Sequence, residues 1–500
     1  MTAFDPFAGQ LFAENDWRAA ASPGRQQRLD PATLEPVGEI ALVEASEIGA
    51  LLEPARAAQR RWAALDFKSR AAALHRVADS IERAGHQAVG EIMSREMGKP
   101  VVEAVGELAN VAPIFRYYAE LARDEAGKVA GTTQAGSLQF YRAEPLGLSA
   151  HVMPFNFPIL LMCWTVAASL AAGNGAVIKP AEPTTLSTLA FMQHFASLPP
   201  GLVTCIPGGG ATGAALIAQP AIRAVAFTGG VETARKVAVA CAERMIPCLI
   251  EAGGNDPMIV MDSAPLEVAA AGAVCAAFHL SGQVCTSAER LYVHERVHDE
   301  FLEVFARQTR ALRVGRGLDK VEIGPLVSEA ARDKVIALVE GALAQGARVV
   351  TGGRVPPGLN SGWFYEPTIL ADCTPEMAAM QGETFGPLAA VCKVKDLEEA
   401  LALANRSDYG LGASIFTTDM AEAHRAIEAF ESGMVWVNNP MIDNDALPFG
   451  GVKRSGLGRE LGRQGLEFFR QSKMVILDPV PRHQDWWYPY PDSFFAERGS

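Results

Sequence analysis

The sequence predicts an α/β protein made of two consecutive domains of parallel βα units, and three observations predict it. Between about Gly147 and Gly254, short β-branched runs alternate with Ala-rich helical stretches, each run closed by Gly or Pro, which is the grammar of parallel βα units. The same alternation resumes after Asn255. A chain of 500 residues, 49% hydrophobic and 20% charged, is long and apolar enough for two large cores rather than one.

The elements follow in order. From Phe67 to about Ala126, apolar residues such as Leu74, Val77, Ala78 and Ile81 recur at helical spacing, so two or more amphipathic helices are expected before the first sheet. No charge occurs between Glu144 and Lys179, but Pro154, Asn156 and Pro158 interrupt that stretch. Its apolar remainder, Ile159 to Ala172, falls short of the ~20 residues a spanning helix needs and reads as a buried helix. Strands are expected at AVI before Lys179, LVTCI before Pro207, AVAF before Thr228 and CLI before Glu251, and then at RLYV, ARVV, SIF and MVWVN. From Lys473 the chain reads as one strand followed by an aromatic tail, DWWYPYPDSFF.

Charge and cysteine usage narrow the function classes. With Lys+Arg 44 against Asp+Glu 57 the net charge is −13, the wrong sign for nucleic acid or an anionic membrane. The first residues, MTAFDPFAGQLFAENDW, lack a basic segment followed by an apolar one, so no signal peptide is expected. Eight cysteines show no CxxC pair and no zinc-type spacing, which points to a reduced, cytoplasmic chain without a metal site.

Several residues could carry chemistry. Gly208, Gly210 and Gly213 spell GxGxxG, either a dinucleotide phosphate loop or a plain Gly-rich turn; no acid stands at the position that the first reading requires. Thr228, Gly229 and Gly230 open the helix VETARKVAVACAER, where small residues let an anion approach the backbone. Cys285 differs from the other cysteines in lying on a polar Gly-containing turn, which suits an exposed thiolate nucleophile, with a buried structural thiol as the alternative. Glu251 ends an apolar run before Ala252, Gly253 and Gly254, as either a desolvated general base or a capping acid. Asn156, between two Phe and two Pro, offers its amide to an oxyanion or to a backbone carbonyl.

Taken together, PFNFP at 154 to 158, IKPAEPT at 178 to 184, FTGG at 227 to 230, EAGGNDP at 251 to 257, GQVCT at 282 to 286, ETFGP at 383 to 387 and PFGGVKRSGLGRE at 448 to 460 resemble the NAD(P)-dependent aldehyde dehydrogenase superfamily over nearly the whole chain. The resemblance implies that fold: two Rossmann-type α/β domains with a small β oligomerisation element. It implies an NAD-binding domain from 1–127 and 147–253, a catalytic domain from 254–464, and an oligomerisation element from 128–146 and 465–500. Cys285 then matches the nucleophile, Glu251 the general base, and Asn156 the oxyanion side chain. Lys179 and Glu182 match the adenosine ribose contacts, Glu383 and Phe385 those of the nicotinamide half. Pro154, Phe155, Gly210, Phe227, Gly229, Gly230 and Ala252 match other parts of the cofactor cleft. Many relatives have Ser where Gly230 stands, and of the GxGxxG only Gly210 is expected to touch cofactor.

The implied reaction is aldehyde oxidation through a thiohemiacetal and a thioester on the cysteine, with NAD preferred to NADP because Glu182 would repel a 2′-phosphate. Relatives that pass the acyl group to coenzyme A generally lack the Glu found here at 251, so the expected product is the free acid. Phe157, Leu161, Trp164, Thr286, Asp443 and Phe449 are expected to form the substrate pocket. Trp164 stands where relatives acting on succinic semialdehyde carry Arg, and Asp443 and Asp445 favour a neutral or cationic aldehyde. Met474 to Leu477 and the segment 127–146 match an oligomerisation strand and hairpin, which implies a homodimer or homotetramer. The tail rings Trp486, Trp487, Tyr488, Tyr490, Phe494 and Phe495 are expected to lie across a neighbouring subunit.

Overall fold

The computed structural model describes residues 5–124, 126–484 and 486–496. Three larger sheets and a two-stranded one, Arg25–Leu29 with Pro36–Ala41, organise them. The first contains eight strands, and its five central strands run parallel in the spatial order Cys248–Ala252, Ile222–Gly229, Leu148–Val152, Gly175–Lys179, Val203–Cys205. The chain enters at Leu148–Val152, winds to one side, and then returns to wind to the other. The strand order therefore reverses between Leu148–Val152 and Ile222–Gly229, and a crevice opens beyond their carboxyl ends.

The second sheet has seven strands, six of them parallel, with Asp256–Val260 and Ala288–His294 near its middle and Arg348–Thr351 antiparallel at one edge. The strand at Cys248–Ala252 ends the first sheet's winding, and three residues later Asp256–Val260 begins the second. The third sheet is small and antiparallel, with Leu138–Pro145 paired along its full length to Arg470–Leu477 and at its other side to Gly127–Val129.

The apolar segment after Pro158 forms helix Leu160–Ala172, every residue of which is buried, so its uniform hydrophobicity comes from lying between the first sheet and the helices at Phe67–Ala84 and Val111–Leu121. Among the described residues no helix is long and apolar enough to cross a membrane. No group of three His, Cys, Asp or Glu among them is placed to hold a metal.

The structure corrects the expected order of elements. Four strands, Gln10–Ala13, Asp16–Ala19, Arg25–Leu29 and Pro36–Ala41, precede the helices, and the first two extend the eight-stranded sheet. They are short and no alternating pattern reveals them: Asp16–Ala19 and Arg25–Leu29 are mostly polar, whereas Gln10–Ala13 is an internal strand with Leu11, Phe12 and Ala13 buried; Glu14 and Asn15, both at positive φ, make the tight turn between the first pair. At the opposite edge of that sheet lies Gly456–Leu457, from the segment assigned by sequence to the catalytic domain. Strands Thr368–Ala371 and Leu388–Val394 were also absent from the sequence reading, since buried parallel strands read as plain apolar runs.

Candidate active site

A cleft of about 750 Å³ occupies the crevice at the strand reversal. Its wall includes all three residues expected to be catalytic, Cys285, Glu251 and Asn156. It also includes every residue expected to touch cofactor: Pro154, Phe155, Lys179, Glu182, Gly210, Phe227, Gly229, Gly230, Ala252, Glu383 and Phe385. The reason is topological. Pro154 and Asn156 follow one parallel strand, Lys179 ends the next, Phe227 to Gly230 end a third and Glu251 a fourth, so consecutive βα loops bring them to one rim.

Close backbone packing shapes this rim. A Cβ on Gly254 would fall 2.1 Å from the carbonyl oxygen of Cys285, and one on Gly253 2.3 Å from the Glu383 carboxyl. The crossing between the two sheets thus runs directly against the Cys285 turn and the Glu383 loop. That loop is held from behind by buried Glu289, which accepts the N–H groups of Thr384 (2.8 Å) and Phe385 (2.8 Å), while Glu383 accepts from Gly254 N–H at 3.1 Å. Across the cleft, Phe155 meets the Phe385 ring edge-on at 5.8 Å.

Cys285 follows three residues at positive φ, Leu280, Ser281 and Gly282. Contrary to the exposed-thiolate expectation, burial first and then the charges of Asp256, Glu251, Glu383 and Asp443 push the thiol well above its ordinary range. The residues on either side, Ser281 to Val284 and Thr286 with Ser287, are buried, while Cys285 itself is half-buried at the cleft wall. Glu251 is 2% exposed, and its oxygens have no hydrogen-bond partner of good geometry. Burial and then the nearby Glu460 raise its carboxyl well above the usual range. Its side chain passes beneath Gly450, where a Cβ would lie 2.2 Å from Oε1. Glu460 and Glu383 are each pushed up to about 8, chiefly by burial.

Asn156 is buried and donates one amide N–H to the Gln283 carbonyl at 3.0 Å. An amide has two such donors, so the other remains for a ligand. Lys179, also buried, is lowered by its desolvation and partly supported by Glu182.

The cleft fits a dinucleotide. Gly210 and Gly230 each begin or cap a helix at its wall, and a Cβ on either would meet nothing within 4 Å, so bare backbone faces the cleft. The open space at Gly230 also shows that the Ser of many relatives is sterically allowed there. Of the GxGxxG glycines, Gly210 and Gly213 line the cleft, as does Gly209 at a variable position of the motif, whereas Gly208 packs on Thr212.

Sequence reasoning missed several wall residues. Thr233, Lys236, Val237 and Ala240 present one face of helix Val231–Glu243, and their three- and four-residue spacing was a legible signal. Lys334 and Leu411 come from distant segments and carried none, whereas Glu460 closes the PFGGVKRSGLGRE motif.

Of the residues expected to form the substrate pocket, only Leu161 and Phe449 line this cleft. Phe157 cannot offer a ring face, because Lys99 Nζ stands 3.8 Å from its centroid and His279 stacks on it at 6.1 Å. Trp164 is buried and supports Phe449, ring to ring at 4.9 Å, and Thr286 is buried beside the nucleophile. Asp443 stands exposed on the loop after Asn438, yet its desolvation by the surrounding chain and then Asp445 raise its carboxyl to about 6.

Residues 17–475 match the family model described as the aldehyde dehydrogenase family. The chloroplastic aminoaldehyde dehydrogenase of Arabidopsis thaliana is 35% identical over 496 residues, covering 97% of this chain and 98% of that protein. A betaine aldehyde dehydrogenase of Cereibacter sphaeroides is 37% identical over 90% of this chain and 93% of its own. Among solved structures, betaine aldehyde dehydrogenase from Staphylococcus aureus in complex with NAD+ superposes with a TM-score of 0.93 at 28% identity, covering 97% of this chain and 98% of that one. An E. coli NADP-dependent enzyme gives 0.92 at 34%, covering 95% and 98%.

The carboxylate ring sets a pH dependence. A raised thiol pKa means that thiolate accumulates only above the ordinary value of about 8.5. Alkylation of Cys285 by iodoacetamide in the protein without cofactor, followed by peptide mass mapping, is therefore expected to rise with pH with a midpoint above that of a free thiol. A midpoint at or below about 8.5 would contradict the electrostatic description.

Proposed function

Because the chain belongs to the aldehyde dehydrogenase family, we propose roles for its site residues and a substrate class for its reaction. The enzyme is an NAD-dependent oxidoreductase that converts an aldehyde to the free carboxylic acid. Cys285 Sγ attacks the carbonyl carbon, and the alkoxide is stabilised by the free Asn156 N–H and the Cys285 backbone N–H. The bound dinucleotide supplies the hydride acceptor. Glu251 removes a proton from the water that cleaves the acyl–Sγ bond, its raised affinity suiting proton transfer near neutrality. Lys179 and Glu182 hold the adenosine ribose, Gly229 and Gly230 flank the pyrophosphate, and Glu383 with Phe155 and Phe385 position the nicotinamide half. Residues 1–127 and 147–253 serve cofactor binding and 254–464 the chemistry. All eight cysteines are free, which supports a cytoplasmic setting.

The substrate is an aldehyde bearing a cationic nitrogen. The observation that carries this is Asp443, an exposed carboxylate close enough for its charge to act on the Cys285 thiol, while Phe449, backed by Trp164, lines the cleft that holds that thiol. A cation is attracted by both the carboxylate and the aromatic faces. Two relatives are named for aminoaldehyde and betaine aldehyde, in keeping with this class. In a panel of aldehydes of matched length, kcat/KM is expected to be highest for cationic members with NAD rather than NADP. Asp443→Asn should lower it about tenfold for these while leaving neutral aldehydes within about twofold. A uniform loss, or a preference for succinic semialdehyde, would refute the assignment.

The assembly is a homodimer or homotetramer built on the small third sheet. Its outer strands leave Met474, Ile476 and Val129 exposed, an unfavourable edge for a lone subunit. The tail touches its own hairpin through Gln134–Gln484 and Arg482 to the Ala135 carbonyl, yet Trp486, Trp487, Tyr488 and Phe495 remain exposed. Tyr490 is only half-buried, and the side chain of Phe494 lies outside the described residues. Ending the chain at Pro479 should reduce the oligomer's mass in solution or broaden its aldehyde selectivity. Unchanged mass with an unchanged profile would exclude a role for the tail between subunits.

A further inference from the structure

We propose that Lys99 and Glu107 are positioning residues for the reaction, a buried ion pair that sets where the Asn156 amide stands relative to Cys285. The inference rests on the reading of Asn156 as an oxyanion donor.

Both side chains are fully buried, and Lys99 Nζ lies 2.6 Å from Glu107 Oε2. Burying two charges costs desolvation that their attraction need not repay, so an apolar pair could serve stability as well. The contacts instead specify geometry. Lys99 Nζ also donates to the Asn156 carbonyl at 2.8 Å and caps the Phe157 ring. The second oxygen of Glu107 accepts the N–H groups of Ile159 (2.8 Å) and Leu160 (3.0 Å), at the start of helix Leu160–Ala172. Residues 156 to 160 are therefore pinned at both ends by one ion pair. The pair has little room to shift, because the turn carrying Lys99 is wedged against another segment. Gly98, at φ +90, would place a Cβ 2.7 Å from Pro325 Cγ, and a Cβ on Gly324 would meet the Gly98 carbonyl at 2.1 Å.

Glu107 lies on helix Val101–Ala109, and one turn earlier on the same face stands Glu103. Glu103 Oε1 pairs with His279 Nδ1 at 3.1 Å and accepts a longer contact from Leu280 N–H at 3.4 Å. Leu280 begins the positive-φ run that leads to Cys285, a strained conformation that persists only if its surroundings enforce it. The helix thus braces both arms of the site: Glu107 with Lys99 holds the amide arm, and Glu103 steadies the approach to the thiol arm. The direct bond from Asn156 Nδ2 to the Gln283 carbonyl closes the triangle.

The test is a double-mutant cycle on the pre-steady-state NADH burst, with the folded fraction of each variant followed by thermal melting. Asn156→Ala alone should slow the burst by about 100-fold or more. Lys99→Met should slow it by about 10-fold or more with the KM for NAD within about threefold of wild type, and adding Asn156→Ala should then cost less than about fivefold further, because coupled residues are not additive. Glu107→Gln keeps an oxygen for Ile159 and Leu160 N–H and should retain more activity than Lys99→Met. It supplies the cycle if Lys99→Met does not fold. A full Asn156→Ala penalty in the Lys99 or Glu107 background would overturn the positioning role alone, whereas an Asn156→Ala variant with a normal burst would overturn the oxyanion reading beneath it.

Discussion

The site depends on the three-residue crossing between the two large sheets. The chain leaves the first sheet at Ala252 and enters the second at Asp256, and at Gly253 and Gly254 there is no space for a side chain because Glu383 and the Cys285 carbonyl lie within 2.3 and 2.1 Å of where a Cβ would stand. One short connection therefore fixes the end of the strand that carries Glu251, the turn that carries Cys285, and the loop that carries Glu383. Each belongs to a different part of the sequence, and their meeting follows from how closely the crossing lets them approach.

Such packing concentrates acids. Glu251, Glu460, Glu383 and Asp256 are all buried or nearly so, and each carboxyl is raised chiefly by burial. Burial first, and then the charges of Asp256, Glu251, Glu383 and Asp443, raise the Cys285 thiol in turn.

Much of this was legible in the sequence, for identifiable reasons. The βα junctions at Lys179, Phe227 to Gly230 and Glu251 announced themselves because β-branched runs end there in Gly or Pro, and the strand reversal gathers such junctions at one rim. What failed was what depends on three-dimensional neighbours. The turn around Cys285 reads as open because its residues are polar, yet those neighbours are buried and only Cys285 is partly open to the cleft. Phe157 and Trp164 read as a pocket wall by helical spacing, yet Lys99 and His279 cover one ring and Trp164 backs Phe449. Lys99 and Glu107 gave no signal, since a charged residue in sequence looks solvated until its partner is seen. The N-terminal strands Asp16–Ala19 and Arg25–Leu29 were silent because such polar strands lack the alternation that burial of one face imposes.

The central claim is that Cys285 carries the acyl group and that Glu251 drives its release. Intact-protein mass spectrometry of Glu251→Gln, quenched in acid after mixing with aldehyde and NAD, tests it most directly. The account predicts a persistent mass increase equal to the acyl group, mapped to the peptide containing Cys285 and missing when Cys285→Ala is added. An unmodified Cys285 during continuing turnover, or an adduct on another cysteine, would contradict it.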